Sequence, residues 1–212
     1  MSASVMSAPA ALAVSKLFYP ETEKPQTQGK IKTLSRSNYA NGIDAITTGT
    51  IEGLKLALNV GAMLIAFLGL LALFNSCLAL LGNQIGIPSL SLEWIFSYVM
   101  FPVAWIMGVP IADCYDVAIL LGKKIILNEF LAYLDLKELI SGDIPAISER
   151  AKIIATYALC GFSNLGSIGI QIGGISAIAP SCQQDLAQLS ARALIAGSIA
   201  CFMTACVAGI LI

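Results

Sequence analysis

Long apolar stretches without a charged residue divide the chain. They run from Leu56 to Leu92, from Ile153 to Gln184 and from Ala193 to Ile212. A helix needs about 20 consecutive apolar residues to cross the hydrocarbon core of a bilayer. Because each stretch is long enough for one crossing, the pattern predicts an all-α polytopic membrane protein.

A fourth apolar stretch, residues 117–134, is interrupted by polar groups. Lys123, Lys124, Asn128 and Glu129 lie within it, and a single straight crossing would bury several charges in lipid. A helical hairpin that enters the membrane and returns to the same face avoids that cost, because its tip can turn inside protein or against water. We therefore predict a re-entrant hairpin with Asn128 and Glu129 at its tip.

The apolar stretch after Lys152 loses its helix-forming character in the middle. Residues Gly161 to Ser167 include two glycines, two serines and an asparagine, which are weak helix formers or favour caps and turns. A membrane helix that unwinds at mid-depth frees backbone donors and acceptors for a ligand, as many secondary transporters require. The sequence predicts a broken transmembrane helix that ends at Pro180.

The first 59 residues are expected to form two units. Residues 1–20 are apolar, lack the basic start of a signal peptide and indicate the end of a truncated transmembrane helix. Residues 21–59 are expected to hold a cytoplasmic loop and then an interfacial amphipathic helix from Asn41 to Asn59. The alternative for this helix is an extension of the next span. The loop's basic residues are Lys24, Lys30, Lys32 and Arg36.

Residues 60–212 are expected to form the main membrane domain. Gly61 to Leu81 predicts a scaffold span, and Ala191 to Ile212, rich in small residues, predicts a close-packed final span. Between them, Leu90 to Pro110 combines aromatic residues, which favour the interface, with prolines, which favour breaks. This predicts an outer interfacial helix. The aromatics are Trp94, Tyr98, Phe101 and Trp105, and the prolines are Pro102 and Pro110.

Composition supports the membrane assignment and excludes several functions. The chain is 57% hydrophobic and 12% charged, with a mean hydropathy of +0.82. Its net charge is only −1 and it has no histidine, which argues against a nucleic-acid surface or a histidine-based catalytic or metal site. The six cysteines show no CxxC spacing and are interpreted as packing residues.

Glu129 is the strongest candidate functional residue, because an isolated carboxylate at membrane depth is rare and costly. The alternative is an ion pair with Lys123 or Lys124. Asn164 and Ser167 lie three residues apart, so they share one face of a helical turn and offer hydrogen bonds without charge. They suit a neutral polyhydroxylated ligand, but interhelical hydrogen bonding explains them equally well.

Two short segments are similar to a known family. The run GKKIILNEFLAYLDL (residues 122–136) and the run IIATYALCGFSNLGSIGIQIGG (residues 153–174) resemble the signature of the concentrative nucleoside transporters. The opening and closing segments also resemble an animal-type member, so the resemblance covers nearly the whole chain. The first signature matches at Gly122, Lys124, Asn128, Glu129, Phe130 and Ala132.

The resemblance implies a function and a site. It implies a sodium-coupled nucleoside symporter, with substrates such as uridine, that forms a homotrimer in the lipid bilayer of the plasma membrane. Glu129, Asn164, Ser167 and Phe162 would bind the nucleoside ribose, with Asn128 supporting the hairpin tip. Na+ would be the co-transported ion and no other cofactor is implied.

The resemblance also implies a missing part. Family members carry an earlier inverted repeat with the base-binding motif and the main sodium site, and neither motif occurs in this sequence. The chain is therefore expected to be the C-terminal half of an inverted-repeat transporter. Two rivals are a non-transporting membrane subunit that uses the helices only for packing, and a membrane enzyme. The enzyme is disfavoured because Glu129 with Lys124 is a weak catalytic pair.

Overall fold

The fold is known from a computed structural model, which describes residues 2–22, 39–141 and 145–212. These ranges form helices and connecting turns without strands, which confirms the all-α prediction. The basic cluster predicted to mark the cytoplasmic loop lies outside the described residues. The helices are α1 (Ser2–Phe18), α2 (Gly42–Ile85), α3 (Leu92–Ile106), α4 (Cys114–Ile126), α5 (Glu129–Ile140), α6 (Glu149–Leu159), α7 (Leu165–Ile178) and α8 (Gln183–Ile210), with short 3-10 turns at Ile111–Asp113 and Pro180–Cys182.

Helix α4 is the centre of the protein. Most of its residues are buried, and α3, α5 and α6 all pack against it. Around this centre, α8 packs against α1, α6 and α7, and α2 packs against α7. The apolar pattern of residues 117–126 thus covers a buried helix that faces protein on nearly all sides, so its charged residues must find partners inside the fold.

Helices α3 and α4 approach each other closely at Gly122. A side chain at this position would place its Cβ 2.9 Å from the carbonyl oxygen of Glu93 and 3.0 Å from the backbone nitrogen of Ser97. Glu93 also links α3 to α2, because its two carboxylate oxygens accept hydrogen bonds from the Asn75 amide at 2.9 and 3.1 Å. The hairpin is thereby connected through α3 to the long helix α2.

The structure has one helix where the sequence predicts two between Asn41 and Leu81. Helix α2 runs without interruption from Gly42 to Ile85, begins at an Asn41 cap and ends at the left-handed Gly86. No proline lies in this range and its glycines are isolated, so the backbone has no cause to break near Asn59. The structure therefore has no boundary between two helices at residues 59–60 and shows the continuous helix that the extension alternative requires. The position of residues 42–59 relative to the membrane stays a prediction.

Pro102 does not interrupt α3, contrary to the expected break. It lies inside the helix Leu92–Ile106, where it removes one backbone donor. Because α3 packs along α4 over its length, tertiary contacts hold the helix together across this position. The helix ends at Ile106, before Gly108, whose φ is +91°, and before Pro110. Its predicted interfacial position stays a prediction.

Two described helices are long and apolar enough to cross a membrane. They lie in the ranges Gly42–Ile85 and Pro180–Ile210, and each overlaps one of the charge-free stretches. The remaining stretch, after Lys152, is divided between α6 and α7, as predicted for a broken helix. Glycines of α7 allow close packing on α2, since a Cβ at Gly169 would lie 2.6 Å from the Phe67 ring.

The close approach at Gly122 gives the first prediction. Gly122→Ala should lower the melting temperature in detergent, because the added methyl meets backbone atoms that cannot rotate away, and overpacking costs about 1 to 3 kcal/mol. The matched control is Gly53→Ala in α2, where a Cβ meets nothing within 4 Å. A Gly122→Ala protein as stable as the control would show that α3 and α4 are not in this contact.

Candidate functional site

Helices α4 and α5 form the predicted hairpin, and its tip is Leu127 and Asn128. The side-chain oxygen of Asn128 accepts a hydrogen bond from the Leu131 backbone nitrogen at 2.9 Å, so Asn128 caps α5. Glu129 is the first residue of α5. The hairpin is as predicted, but its turn lies one residue earlier than the predicted tip of Asn128 and Glu129, because Glu129 is already helical. Its re-entrant position in a bilayer stays a prediction.

The predicted broken helix is also present, but its break is shorter than expected. Helix α6 ends at Leu159 and α7 begins at Leu165, so Ser167 is helical. The reason is a reciprocal capping box: the Ser167 backbone nitrogen donates to Asn164 Oδ1 at 2.7 Å, and the Asn164 nitrogen donates to Ser167 Oγ at 3.2 Å. This pair starts α7 at Leu165, two residues before the predicted end of the unwound segment at Ser167.

The tip of the hairpin contacts the start of α7. Asn164 Nδ2 donates a hydrogen bond to Glu129 Oε2 at 3.2 Å. Two helix N-termini therefore meet at this carboxylate, since Glu129 begins α5 and Asn164 caps α7. Both helix dipoles present their positive ends here, which favours a negative charge. The sequence signal for this convergence is an asparagine directly before each helix start.

The polar atoms of the site differ in exposure. Asn164 is 2% exposed and Ser167 is 6% exposed, whereas Phe162 is 51% exposed and Glu129 is half-buried. Phe162 and Ser167 also line a cavity of about 220 Å³ between α7 and α8. Hydrogen bonds therefore join three of the four residues predicted to bind ribose, Glu129, Asn164 and Ser167, at one junction. The fourth, Phe162, shares with Ser167 a cavity that Glu129 and Asn164 do not line.

Neither lysine of the hairpin pairs with Glu129, so the ion-pair alternative is wrong. Lys123 forms a salt bridge with Asp135 on the opposite arm. Lys124 is 0% exposed and its ammonium donates a hydrogen bond to the backbone oxygen of Ala158 at 2.7 Å. Among the described residues, Glu129 has no salt-bridge partner and accepts a side-chain hydrogen bond only at Oε2.

Sequence reasoning did not predict that Tyr133 links the hairpin to helix α6. Its hydroxyl donates a hydrogen bond to the Thr156 backbone oxygen at 2.7 Å. The available signal was its spacing, because residues four apart lie on the same helix face and Tyr133 follows Glu129 by four.

Within the described residues, no group of three or more His, Cys, Asp or Glu residues forms a metal site.

Comparisons with known proteins identify the family. The sequence pattern described as "Na+ dependent nucleoside transporter C-terminus" matches residues 1–209. Human solute carrier family 28 member 3 is 47% identical over an alignment that covers 100% of this chain and 32% of that protein. Rat sodium/nucleoside cotransporter 2 is 45% identical, with coverages of 100% and 34%. The chain spans about a third of the length of these relatives.

Solved structures give the same assignment. A CNTnw variant in an outward-facing state matches with a TM-score of 0.85 at 37% identity, covering 99% of this chain and 49% of that one. CNTnw in an inward-facing substrate-bound state matches with a TM-score of 0.74 at 37% identity, with coverages of 98% and 48%. The chain therefore shares its fold with these CNTnw structures. The chain belongs to the Na+ dependent nucleoside transporter family, matching its C-terminal part.

The geometry of the break gives the second prediction. Gly161 has a φ of +149° and its missing side chain leaves room for Cys201. Gly161→Ala should destabilise the protein by about 1 to 3 kcal/mol, because the backbone conformation is strained for other residues and the methyl meets the Cys201 sulfur. Thermal unfolding in detergent measures the change.

Gly174→Ala in α7 is the control, since its Cβ meets only Leu56 Cδ1 at an ordinary 3.6 Å. It should be neutral or slightly stabilising because alanine favours helix. Equal stability of both variants would contradict the described conformation of the break.

Proposed function

We propose that this chain contributes the ribose-binding half of the substrate site of a sodium-coupled nucleoside symporter. The observation that carries the proposal is the contact of Glu129 with Asn164 where the hairpin tip meets the broken helix. The family membership and the names of the relatives support the reaction class. The assignment of ribose to this junction is our own.

The chemistry of the junction suits a neutral sugar. An ionised carboxylate accepts hydrogen bonds from hydroxyl groups, and only Oε2 of Glu129 accepts one from the described residues. The two neighbouring hydroxyls of a ribose can donate to Glu129 in charge-assisted hydrogen bonds. Asn164 and Ser167 add neutral hydrogen-bonding groups, and the exposed Phe162 ring supplies an apolar wall. Asn128 supports the site by capping the helix that carries Glu129.

Ion coupling requires that sodium and nucleoside favour the same conformation. We propose that Na+ is co-transported and that the main sodium site and the base contacts lie in a further part of the transporter, outside these 212 residues. The relatives named as sodium/nucleoside cotransporters support sodium as the co-transported ion. The re-entrant position of the hairpin, the homotrimer and the plasma-membrane location belong to the same proposal.

A non-transporting subunit that uses the same helices only for packing is the second candidate. The apolar surface of α2 suits such a role, because many of its large side chains are exposed and would face lipid or a partner. Helix packing alone does not explain why a carboxylate occupies position 129. Glu129 lies half-buried without an ion-pair partner among the described residues. A transport assay on a Glu129 variant separates the two candidates.

The third prediction concerns Glu129. A chimaera would carry this chain in place of the aligned segment of human solute carrier family 28 member 3. In it, Glu129→Gln should reduce uridine uptake at low concentration by more than about tenfold, because charge-assisted hydrogen bonds contribute about 1.5 to 3 kcal/mol each. Radiolabelled uptake with quantified surface expression provides the measurement.

The matched control is Glu138→Gln, which removes a carboxylate from the exposed side of the same helix. This variant should transport like the parent chimaera. Normal uptake by Glu129→Gln would refute the ribose site, and a parent chimaera that reaches the surface without transporting would favour the packing subunit.

A further inference from the structure

The end of α6 at the break lacks the backbone partners that a continuous helix would supply. The last four carbonyl groups of any helix have no intrahelical donor, and here they are those of residues 156–159. Cys160 donates its backbone nitrogen to the Tyr157 oxygen at 3.2 Å. Thr156 and Ala158 have to find other donors.

The hairpin supplies both donors, one from each arm. Lys124 on α4 donates to the Ala158 oxygen at 2.7 Å, and Tyr133 on α5 donates to the Thr156 oxygen at 2.7 Å. The hairpin therefore caps the C-terminal end of α6 with its arms. It contacts the N-terminal end of α7 with its tip, through Glu129.

Lys124 is placed to neutralise the negative end of the α6 dipole. It is completely buried, and its ammonium lies 5.8 Å from the centre of the Phe202 ring on α8, within the range of a cation–π interaction. A cation at a helix C-terminus is favoured by the dipole. A single side chain thus joins α4, α6 and α8 at the level of the break.

We propose that Lys124 and Tyr133 are positioning residues for sugar recognition, which hold the end of α6 on the hairpin so that Glu129 and Asn164 stay aligned across the break. This inference rests on the proposed ribose site. Neither residue needs to touch the nucleoside. Their loss should weaken only those substrate contacts that depend on the alignment of hairpin and broken helix.

The test uses the chimaera described above with Tyr133→Phe and Lys124→Met. Tyr133→Phe removes one oxygen and keeps the ring, and Lys124→Met keeps a side chain of similar length without the ammonium. Each should weaken uridine binding, seen as a KM raised by about three- to tenfold, the effect of about one hydrogen bond. 2′,3′-Dideoxyuridine, which lacks the two neighbouring ribose hydroxyls and keeps the 5′-hydroxyl, should show less than about a twofold change in the same assay, by the logic of a double-mutant cycle.

Lys123→Met is the matched control, because Lys123 is the neighbouring lysine and its partner is Asp135 rather than α6. It should bind uridine like the parent. Amide hydrogen exchange in nanodiscs gives a readout independent of substrate: the last turn of α6 should exchange at least about tenfold faster in Tyr133→Phe and Lys124→Met than in Lys123→Met.

The inference is overturned if both variants keep the parent uridine KM and exchange rates, if both nucleosides lose affinity equally, or if Lys123→Met behaves the same way. Failure of this inference is distinguishable from failure of the proposed function. Loss of uridine uptake in Glu129→Gln together with parent-like Lys124→Met and Tyr133→Phe overturns only the positioning role. Normal uridine uptake in Glu129→Gln overturns the ribose site itself.

Discussion

The structure depends on one constraint, which is that a helix broken inside an apolar environment must find partners for its freed backbone groups. Water cannot supply them in the hydrocarbon region. Here the two ends of the break are satisfied differently. The start of α7 is capped internally by Asn164 and Ser167, whereas the end of α6 depends on donors from the hairpin.

This dependence explains the arrangement of the surrounding helices. The hairpin has to lie directly against the break, so α4 becomes a buried central helix in which Lys124 is the one charged residue among apolar buried neighbours of the same helix. The close contact of Gly122 with α3 and the Asn75–Glu93 hydrogen bonds connect this centre to α2. The carboxylate of Glu129 is then presented where two helix N-termini meet. The position of the proposed site thus follows from the way in which the hairpin supplies hydrogen-bond partners to the broken helix.

Much of this could be predicted from the sequence, because the strongest signals are local. Polar residues inside apolar runs predicted the hairpin at Asn128 and Glu129, and the cluster from Gly161 to Ser167 predicted the break. The continuity of α2 was missed because an amphipathic segment and an apolar segment have the same helical period. The persistence of α3 through Pro102 was missed because it depends on packing against α4. The spacing of Tyr133 from Glu129 indicates a shared helix face, but it does not identify Thr156 as the partner. The pairing of Lys123 with Asp135 likewise depends on how the chain folds.

The central claim is that Glu129 and Asn164 act as one unit across the junction, and a double-mutant cycle tests it most directly. Uridine uptake, as Vmax/KM, would be measured in the chimaera with Glu129→Gln, with Asn164→Ala and with both substitutions. Residues that contact each other and share a ligand show interaction energies of about 0.5 to 3 kcal/mol. The account predicts that Vmax/KM falls in the double variant by a clearly smaller factor than the product of the two factors measured for the single variants. A fall in Vmax/KM equal to that product would show that the two residues act independently and would contradict the account.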